Sequence, residues 1–179
     1  MTERFTVDAQ RSSIRLRTRA KGLLARLAHD LQIHARDVTG EATRDSDRWT
    51  AELRVTIDGL RVEGVVRSGV VHPDVLSEAD RREIERKIRE EVFSRAPAIV
   101  VTASGTPSDA HVRILFGERS ATLTPRLTVV TQPDAIRIEI RNCTVSMRAL
   151  GLAEVKGPLG AFHVKDDVEL EGELIYDLA

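Results

Sequence analysis

Apolar and polar residues alternate along most of this chain, and this alternation restricts the folds open to it. In an extended strand successive side chains point to opposite faces, so a period of two predicts a strand with one buried face. Runs of this kind recur from Phe5 to Leu178, and turn-forming residues separate them. Many short alternating strands with few helices favour an antiparallel sandwich or barrel. The clearest run places five apolar residues on one face, namely Trp49, Ala51, Leu53, Val55 and Ile57.

One segment, residues 76–95, breaks the alternation and predicts a long helix. Ser77 is suited to cap its start, with Asp80 three residues later in a capping-box position. Most of the other residues are charged, so the helix buries one narrow face and exposes the remainder to water. We therefore expect it to cover the opening or the flank of a β structure. Its apolar stripe consists of Ile84, Ile88 and Val92, with Phe93 beside them.

A second, short helix is predicted over residues 20–30. Leu23, Leu24 and Leu27 cluster on one side of it. The chain contains no internal repeat and no Pro-rich or Gly-rich linker, and its length of 179 residues is that of one domain. We therefore expect a single domain over residues 1–179.

Opposite charges follow the outward faces of an early strand and of the last predicted strand. If the two strands are neighbours in a sheet, these charges stabilise each other across the pair. We therefore expect the two strands to pair. The stripes are Arg15, Arg17 and Arg19 on the early strand, and Glu169, Glu171 and Glu173 on the last one.

The composition excludes several classes of function. A net charge of -1 and an aromatic content of 3% supply neither the basic surface nor the stacking side chains that nucleic-acid binding needs. The first residues do not resemble a secretory signal, and no apolar run reaches the length of a membrane span. The expectation is a soluble, cytoplasmic protein that binds no nucleic acid and is not stably inserted into a membrane.

The order of these segments resembles the YceI-like family. The resemblance covers nearly the whole chain and implies a lipocalin-like antiparallel β-barrel of about eight strands with one long and one short helix. It also implies that a long apolar ligand, such as an isoprenoid, a quinone or a similar lipid tail, binds inside the barrel of a carrier or sequestering protein. The segments that carry the resemblance are FTVDAQRSSI, HDL, VTGEA, RWTAELRVTIDGLRVEG, LSEADRREIERKIREEVF, LTPRLTVVTQPDAIRIEI and LGLAEVKGPLGAFHVKDDVEL.

Few large side chains are available to fill such a barrel. Inward-facing Val, Ile and Ala occupy less volume than aromatic residues, and an eight-stranded barrel leaves room for one slender ligand when it is not filled. We expect the wall to be formed by Leu16, Ile33, Val55, Val101, Leu127, Ile138 and Met147. Near an opening, with an apolar flap at residues 157–162, we expect Leu24, Leu27, Ile88, Phe93 and Phe162.

No pattern typical of a catalytic or metal site is found. His29 and Asp30 are adjacent and would face apart, so His29 is interpreted as ending the short helix. The other histidines lack the spacing of a zinc site. Cys143 alternates with Val145 and Met147, which is typical of a small buried residue. The sequence therefore predicts neither enzyme activity nor a bound metal or cofactor.

A filled structure without a ligand is the alternative. The predicted wall residues would then be ordinary core, and the protein would be a structural or protein-interaction domain. Two segments that are apolar on both faces, AIVVTAS and LTVV, would supply the surface of a homodimer.

Overall fold

The computed structural model describes residues 2–21, 29–106, 109–132, 134–156 and 162–179. Within them the chain is mainly β, as predicted. The strands are β1 (Glu3–Val7), β2 (Ser13–Thr18), β3 (Ala20–Lys21), β4 (Asp30–Ala35), β5 (Val38–Asp45), β6 (Arg48–Thr56), β7 (Leu60–Arg67), β8 (Val70–His72), β9 (Ala98–Thr106), β10 (Asp109–Phe116), β11 (Arg119–Leu123), β12 (Arg126–Thr131), β13 (Ala135–Ser146), β14 (His163–Val164) and β15 (Asp167–Leu178). Helix α1 (Glu78–Lys87) continues as a π-helical segment (Ile88–Val92), and 3-10 turns lie at Ile57–Gly59 and Pro73–Val75.

The twelve-residue strand β15 is where the main sheet divides. On one edge β15 pairs with β13 along nearly its whole length. On the other edge its first half pairs with β2 and its end pairs with β1. One branch continues as β2, β4, β7 and β8, and the other as β1, β5, β6, β9, β10 and β11. All of these pairs are antiparallel, so the predicted antiparallel architecture is confirmed.

The backbone of Ile175 lies at the division, between the residues that pair with β2 and those that pair with β1. On that edge no β-ladder supplies hydrogen-bond partners for the Ile175 amide and carbonyl. The turn between β1 and β2 supplies them instead. The Ile175 amide donates to Ser12 Oγ at 3.0 Å, and its carbonyl accepts from the Asp8 amide at 2.8 Å. Ser12 is buried, so this hydroxyl replaces a ladder partner where water has little access.

A glycine lets β2 approach β15 closely. Gly172 lies three residues before Ile175, and a Cβ atom there would be 2.6 Å from the Ser13 carbonyl oxygen. That contact is far shorter than a carbon side chain tolerates. Any other residue at Gly172 would push β2 away from β15.

A closed eight-stranded barrel, as predicted, is not confirmed. The main sheet contains thirteen strands: β15, the ten strands of the two branches, and β13 and β12 on the other edge of β15. Strand β12 follows β11 after Pro125 and pairs with β13, and β11 lies beside the other half of β13. Because residues 119–123 and 135–146 share no hydrogen-bonded ladder, the pairings among the described strands do not form a ring.

The long helix is present and is shorter than predicted. Ser77 caps it: its hydroxyl accepts from the Asp80 amide at 3.1 Å, and the Asp80 carboxylate accepts from the Ser77 amide at 3.1 Å. The helical segment ends at Val92 instead of Arg95. Ser94 and Arg95 have φ angles of 50° and 61°, and this left-handed backbone stops the helix.

The helix lies between the two branches of the sheet. On one side Glu85 Oε1 accepts from the Val62 amide at 2.9 Å, which satisfies a donor of β7. On the other side the Phe93 ring packs edge-on against the ring of Phe116 in β10, with centroids 5.6 Å apart. The helix therefore contacts both branches of the sheet and covers a flank of the β structure, in agreement with the expectation from its single apolar stripe.

The short helix predicted over residues 20–30 is wrong at both of its ends. Ala20–Lys21 form β3, which pairs with β14, and Asp30 is the first residue of β4. His29 therefore precedes a strand and does not end a helix. The Ala20 amide donates to Asp30 Oδ1 at 2.9 Å and holds the two strand ends together. Residues 22–28, with Leu23, Leu24 and Leu27, lie outside the described residues.

The predicted pairing of the two charged stripes is confirmed. In the register of β2 and β15, Arg17 lies opposite Glu169 and Arg15 opposite Glu171. The ion pairs are diagonal, because long side chains reach the next position on the facing strand. Arg17 contacts Glu171 at 3.4 Å and Arg19 contacts Glu169 at 2.6 Å, whereas Arg15 and Glu173 bind Glu63 and Arg137 on neighbouring strands.

Replacing Ser12 by alanine is expected to destabilise the protein by about 1–3 kcal/mol, because the buried Ile175 amide then loses its acceptor. The neighbouring Ser13→Ala variant is the matched control. The Ser13 hydroxyl is buried and, among the described residues, has no hydrogen-bond partner, so its removal should cost little or nothing. Urea unfolding of both variants measures the difference. Equal losses would contradict the role given to Ser12.

Reversing one partner of the Arg19 and Glu169 pair is expected to lower the unfolding free energy by roughly 0.5 kcal/mol, because both side chains are about half exposed. The variants are Arg19→Glu, Glu169→Arg and the double reversal. The double variant should regain most of the loss, since the opposite charges face each other again. Urea denaturation at low salt provides the measurement. Additive losses in the double variant would contradict the pairing.

Candidate functional site

A cavity of about 650 Å³ lies between the two branches of the sheet and the helix. This volume falls within the range of roughly 300–1,000 Å³ that small-molecule sites occupy. Both branches contribute alternate residues of their strands, as the predicted alternation requires. From β4 these are Leu31, Ile33 and Ala35; from β6, Trp49, Ala51, Leu53 and Val55; from β9, Ile99, Val101 and Ala103.

Small side chains at facing positions leave this space open. Ala51 of β6 lies directly opposite Ala103 of β9, and Leu53 lies opposite Val101. Two alanines side by side on an inward face leave empty the volume that larger side chains would occupy. The small side chains of these strands therefore contribute to the open space.

Packed residues surround the cavity on two sides. One buried cluster contains the two largest fully buried side chains, Phe5 and Tyr176, together with Ile14 and Leu60. The other is built from β10, β11 and β13 and includes Val112, Leu123 and Cys143. Residues of both clusters line the cavity, so the interior is partly core and partly open space.

Every predicted site residue that the structure describes lines this cavity. Seven come from strands or the turn after β13, two from the helical segment and its end, and one from the segment before β14. Leu24, Leu27 and residues 157–161 of the predicted flap lie outside the described residues. The predicted residues at the cavity are Leu16, Ile33, Val55, Ile88, Phe93, Val101, Leu127, Ile138, Met147 and Phe162.

Other lining residues were missed by the sequence reasoning. Leu150, Leu152 and Val155 follow β13 in an irregular segment, where no periodicity marks an inward position. Val168 and Leu170 of β15 could have been found, since they alternate on the same face as Leu174 and Tyr176. The apolar pattern therefore identifies wall residues in strands and fails in loops.

Two ionisable groups of the wall, Cys143 and Tyr176, are buried. Desolvation raises the pKa of the Cys143 thiol above its ordinary value, and it raises the pKa of the Tyr176 phenol to about 12. Neither group carries a charge at neutral pH. The wall between them is a low-polarity surface that suits hydrocarbon.

Four polar residues also line the cavity, and none of the described lining residues is Asp or Glu. The polar residues are Thr18, His29, Lys87 and Lys156. Elsewhere in the described part of the chain, no three His, Cys, Asp or Glu side chains are grouped so that they could hold a metal ion.

A comparison with solved structures finds a likeness to BcnA of Burkholderia cenocepacia. The crystal structure of BcnA matches with a TM-score of 0.64 and 10% sequence identity, over 94% of this chain and 98% of the BcnA chain. The two chains share a fold. At this identity the likeness concerns the fold alone.

The sequence comparisons add no family. No family model matches this chain, and a search of curated proteins finds no match. The resemblance to the YceI-like family therefore stays an inference from its segments. Among the described residues, no helix combines the length and apolarity needed to cross a membrane.

Adding a large side chain inside the cavity tests whether the space exists. We expect Ala103→Phe to leave the unfolding free energy unchanged or to raise it by about 0.5–2 kcal/mol, since the ring occupies open volume. In a filled interior the same change would overpack the core and cost roughly 1–3 kcal/mol. Thermal and urea unfolding distinguish the two results.

The matched control for this variant is Ser104→Phe. Ser104 is the next residue of β9, is exposed and points to the opposite face. This variant measures how a phenylalanine on β9 changes the unfolding free energy when its ring does not enter the cavity. If Ala103→Phe destabilises the protein well beyond Ser104→Phe, there is no open space at Ala103.

Proposed function

We propose that this protein binds a long apolar ligand, such as an isoprenoid, a quinone or a similar lipid tail, and acts as a non-enzymatic carrier or sequestering protein. The observation that carries the proposal is the cavity of about 650 Å³, whose wall is apolar in both branches of the sheet. The likeness of the fold to BcnA and the resemblance to the YceI-like family support it.

The energetics favour a long chain over a small molecule. Burial of a CH₂ group contributes about 0.8 kcal/mol. Association costs roughly 4–15 kcal/mol in lost freedom. A chain of about ten carbons therefore only offsets a cost in the middle of this range, and a net affinity requires a longer one. The extended wall from Leu16 to Phe93 offers contact to such a chain.

We also infer that the cavity wall is a lipocalin-like barrel of eight strands. Its ring would run through three long strands, each made of two consecutive segments (β1 with β2, β4 with β5, and β6 with β7), and then through β9, β10, the continuous segment of β11 and β12, β13 and β15. The position of β11 beside β13 supports this ring. The contact between these two strands is the place where the ring has no hydrogen-bonded ladder. The cytoplasmic location and the absence of a nucleic-acid partner, both expected from the sequence, belong to the same proposal.

The alternative is a structural domain that dimerises, and one observation favours it. Val129 and Val130 on the edge strand β12 are 50% and 47% exposed, so the LTVV segment presents apolar side chains beside free backbone groups. The other predicted dimer segment, AIVVTAS, is not an edge strand that a second copy could pair with. It forms β9, which pairs with β6 on one side and with β10 on the other.

Organic extraction of the purified protein, followed by mass spectrometry, tests the proposal. We expect one long-chain apolar molecule per protein, or uptake of a polyprenyl or quinone lipid by extracted protein in native mass spectrometry. Ala103→Phe should lose most of this uptake because the ring occupies ligand volume, and Ser104→Phe should keep it. A protein that is empty, takes up no such lipid and forms a concentration-dependent dimer in sedimentation would contradict the proposal and favour the alternative.

A further inference from the structure

We infer that the ligand carries an anionic end group, a carboxylate or a phosphate, and that this group lies at one end of the cavity. The binding place is the polar rim, which we define as Thr18, His29 and Lys156. The inference rests on the proposed function, since it assigns the chemistry of the head to a ligand whose tail fills the cavity.

The first support is the sign of the charges that reach the cavity. Two lysines and a histidine line it, and among the described lining residues there is no carboxylate. The chain as a whole has a net charge of -1, so a positive set is not what its composition would place there. An uncharged ligand would gain nothing from this asymmetry, whereas an anion would.

The second support is that strand pairing brings the polar rim together. Thr18 pairs with Leu31 across β2 and β4, which places it near His29 at the same end of β4. Lys156 forms a β-bridge with His163 of β14. Strand β14 in turn pairs with β3, which follows Thr18 after a single residue. Three segments that are distant in sequence therefore meet at one end of the cavity.

Backbone hydrogen bonds hold these segments in place. The Lys165 amide donates to the Arg19 carbonyl at 2.7 Å, and the Val164 amide donates to the Val155 carbonyl at 2.9 Å. The Ala20 amide donates to Asp30 Oδ1, which fixes the start of β4 beside the polar rim. The position of Lys156 is thus set by the fold and not only by its own side chain.

Of two nearby carboxylates, Asp166 is engaged by groups outside the polar rim, and Glu154 is paired with Lys156 of the polar rim. Asp166 accepts from the Ser146 hydroxyl at 2.6 Å and from the Arg148 amide at 2.8 Å. Glu154 contacts Lys156 Nζ at 3.3 Å and His163 Nδ1 at 3.0 Å, and it does not line the cavity. A ligand anion would share or replace Glu154 as the partner of the Lys156 ammonium.

The geometry also fixes the direction of the ligand. A head at the polar rim places the first carbons of the tail beside Met147 and Leu170, and the rest runs along the wall toward Val55 and Phe93 under the helix. A charged group at the helix end would lose its hydration among apolar side chains. At the polar rim it keeps contact with water, because the Lys156 side chain is 55% exposed.

The test compares ligands that differ only in the charge of the head. A long-chain fatty acid, its methyl ester and the alkyl phosphate of the same chain length displace a fluorescent apolar probe from the full-length protein, below their micelle concentrations. We expect the two anions to bind about fivefold more tightly than the ester, a modest factor because the ion pair is partly exposed. Preference for either anion over the ester supports the inference, and their ratio tells carboxylate from phosphate.

Three variants locate the head group. Lys156→Gln should bring the affinity of the anions down to that of the ester while leaving the ester unchanged. Lys165→Gln removes a nearby positive charge that does not line the cavity, so it should keep the preference. Lys87→Gln removes the lysine that reaches the cavity from the helix and should also keep it.

Each result has a distinct meaning. Equal affinities for the anions and the ester in the unaltered protein overturn the inference and leave the proposed function standing. A preference that survives Lys156→Gln and disappears in Lys87→Gln overturns the placement at the polar rim. Failure of all three ligands to bind, with the apolar probe also excluded, overturns the proposed function and the inference with it.

Discussion

The structure depends on how the backbone of β15 is satisfied where the sheet divides. A strand has only two edges, and β13 occupies one of them. The other edge is shared by β2 and β1, which leaves Ile175 between two ladders. The Ser12 hydroxyl and the Asp8 amide fill that position. Without them the Ile175 amide and carbonyl would have no partner on this edge, at the point where both branches start.

The cavity follows from the division of the sheet and from the size of the side chains that face it. Both branches line the cavity, and the helix adds its one apolar stripe to the wall. Inside, paired small residues such as Ala51 and Ala103 do not reach across. The two largest fully buried side chains, Phe5 and Tyr176, lie where β1 pairs with β15. The same chain thus has a packed region that stabilises the fold and a region that stays open.

The sequence predicts what depends on local pattern. The period of two identifies Leu53, Val55 and Val101 as inward-facing, and the spacing of Ser77 and Asp80 identifies the helix cap. Features that depend on distant contacts are not predictable in this way. Nothing near Ala20 indicates that it pairs with Val164, so the predicted short helix was wrongly extended to Ala20 and Asp30, which belong to strands. The division of the sheet at β15 and the arrival of Lys156 at the cavity are likewise set by long-range pairing.

A crystal structure of the purified protein would test the central claim, that an apolar bore remains open between the branches. The account predicts continuous space from Met147 to Phe93 past Ala51 and Ala103, with elongated density that the protein chain does not explain. Side chains that meet across this region and leave no volume for a hydrocarbon chain would contradict it.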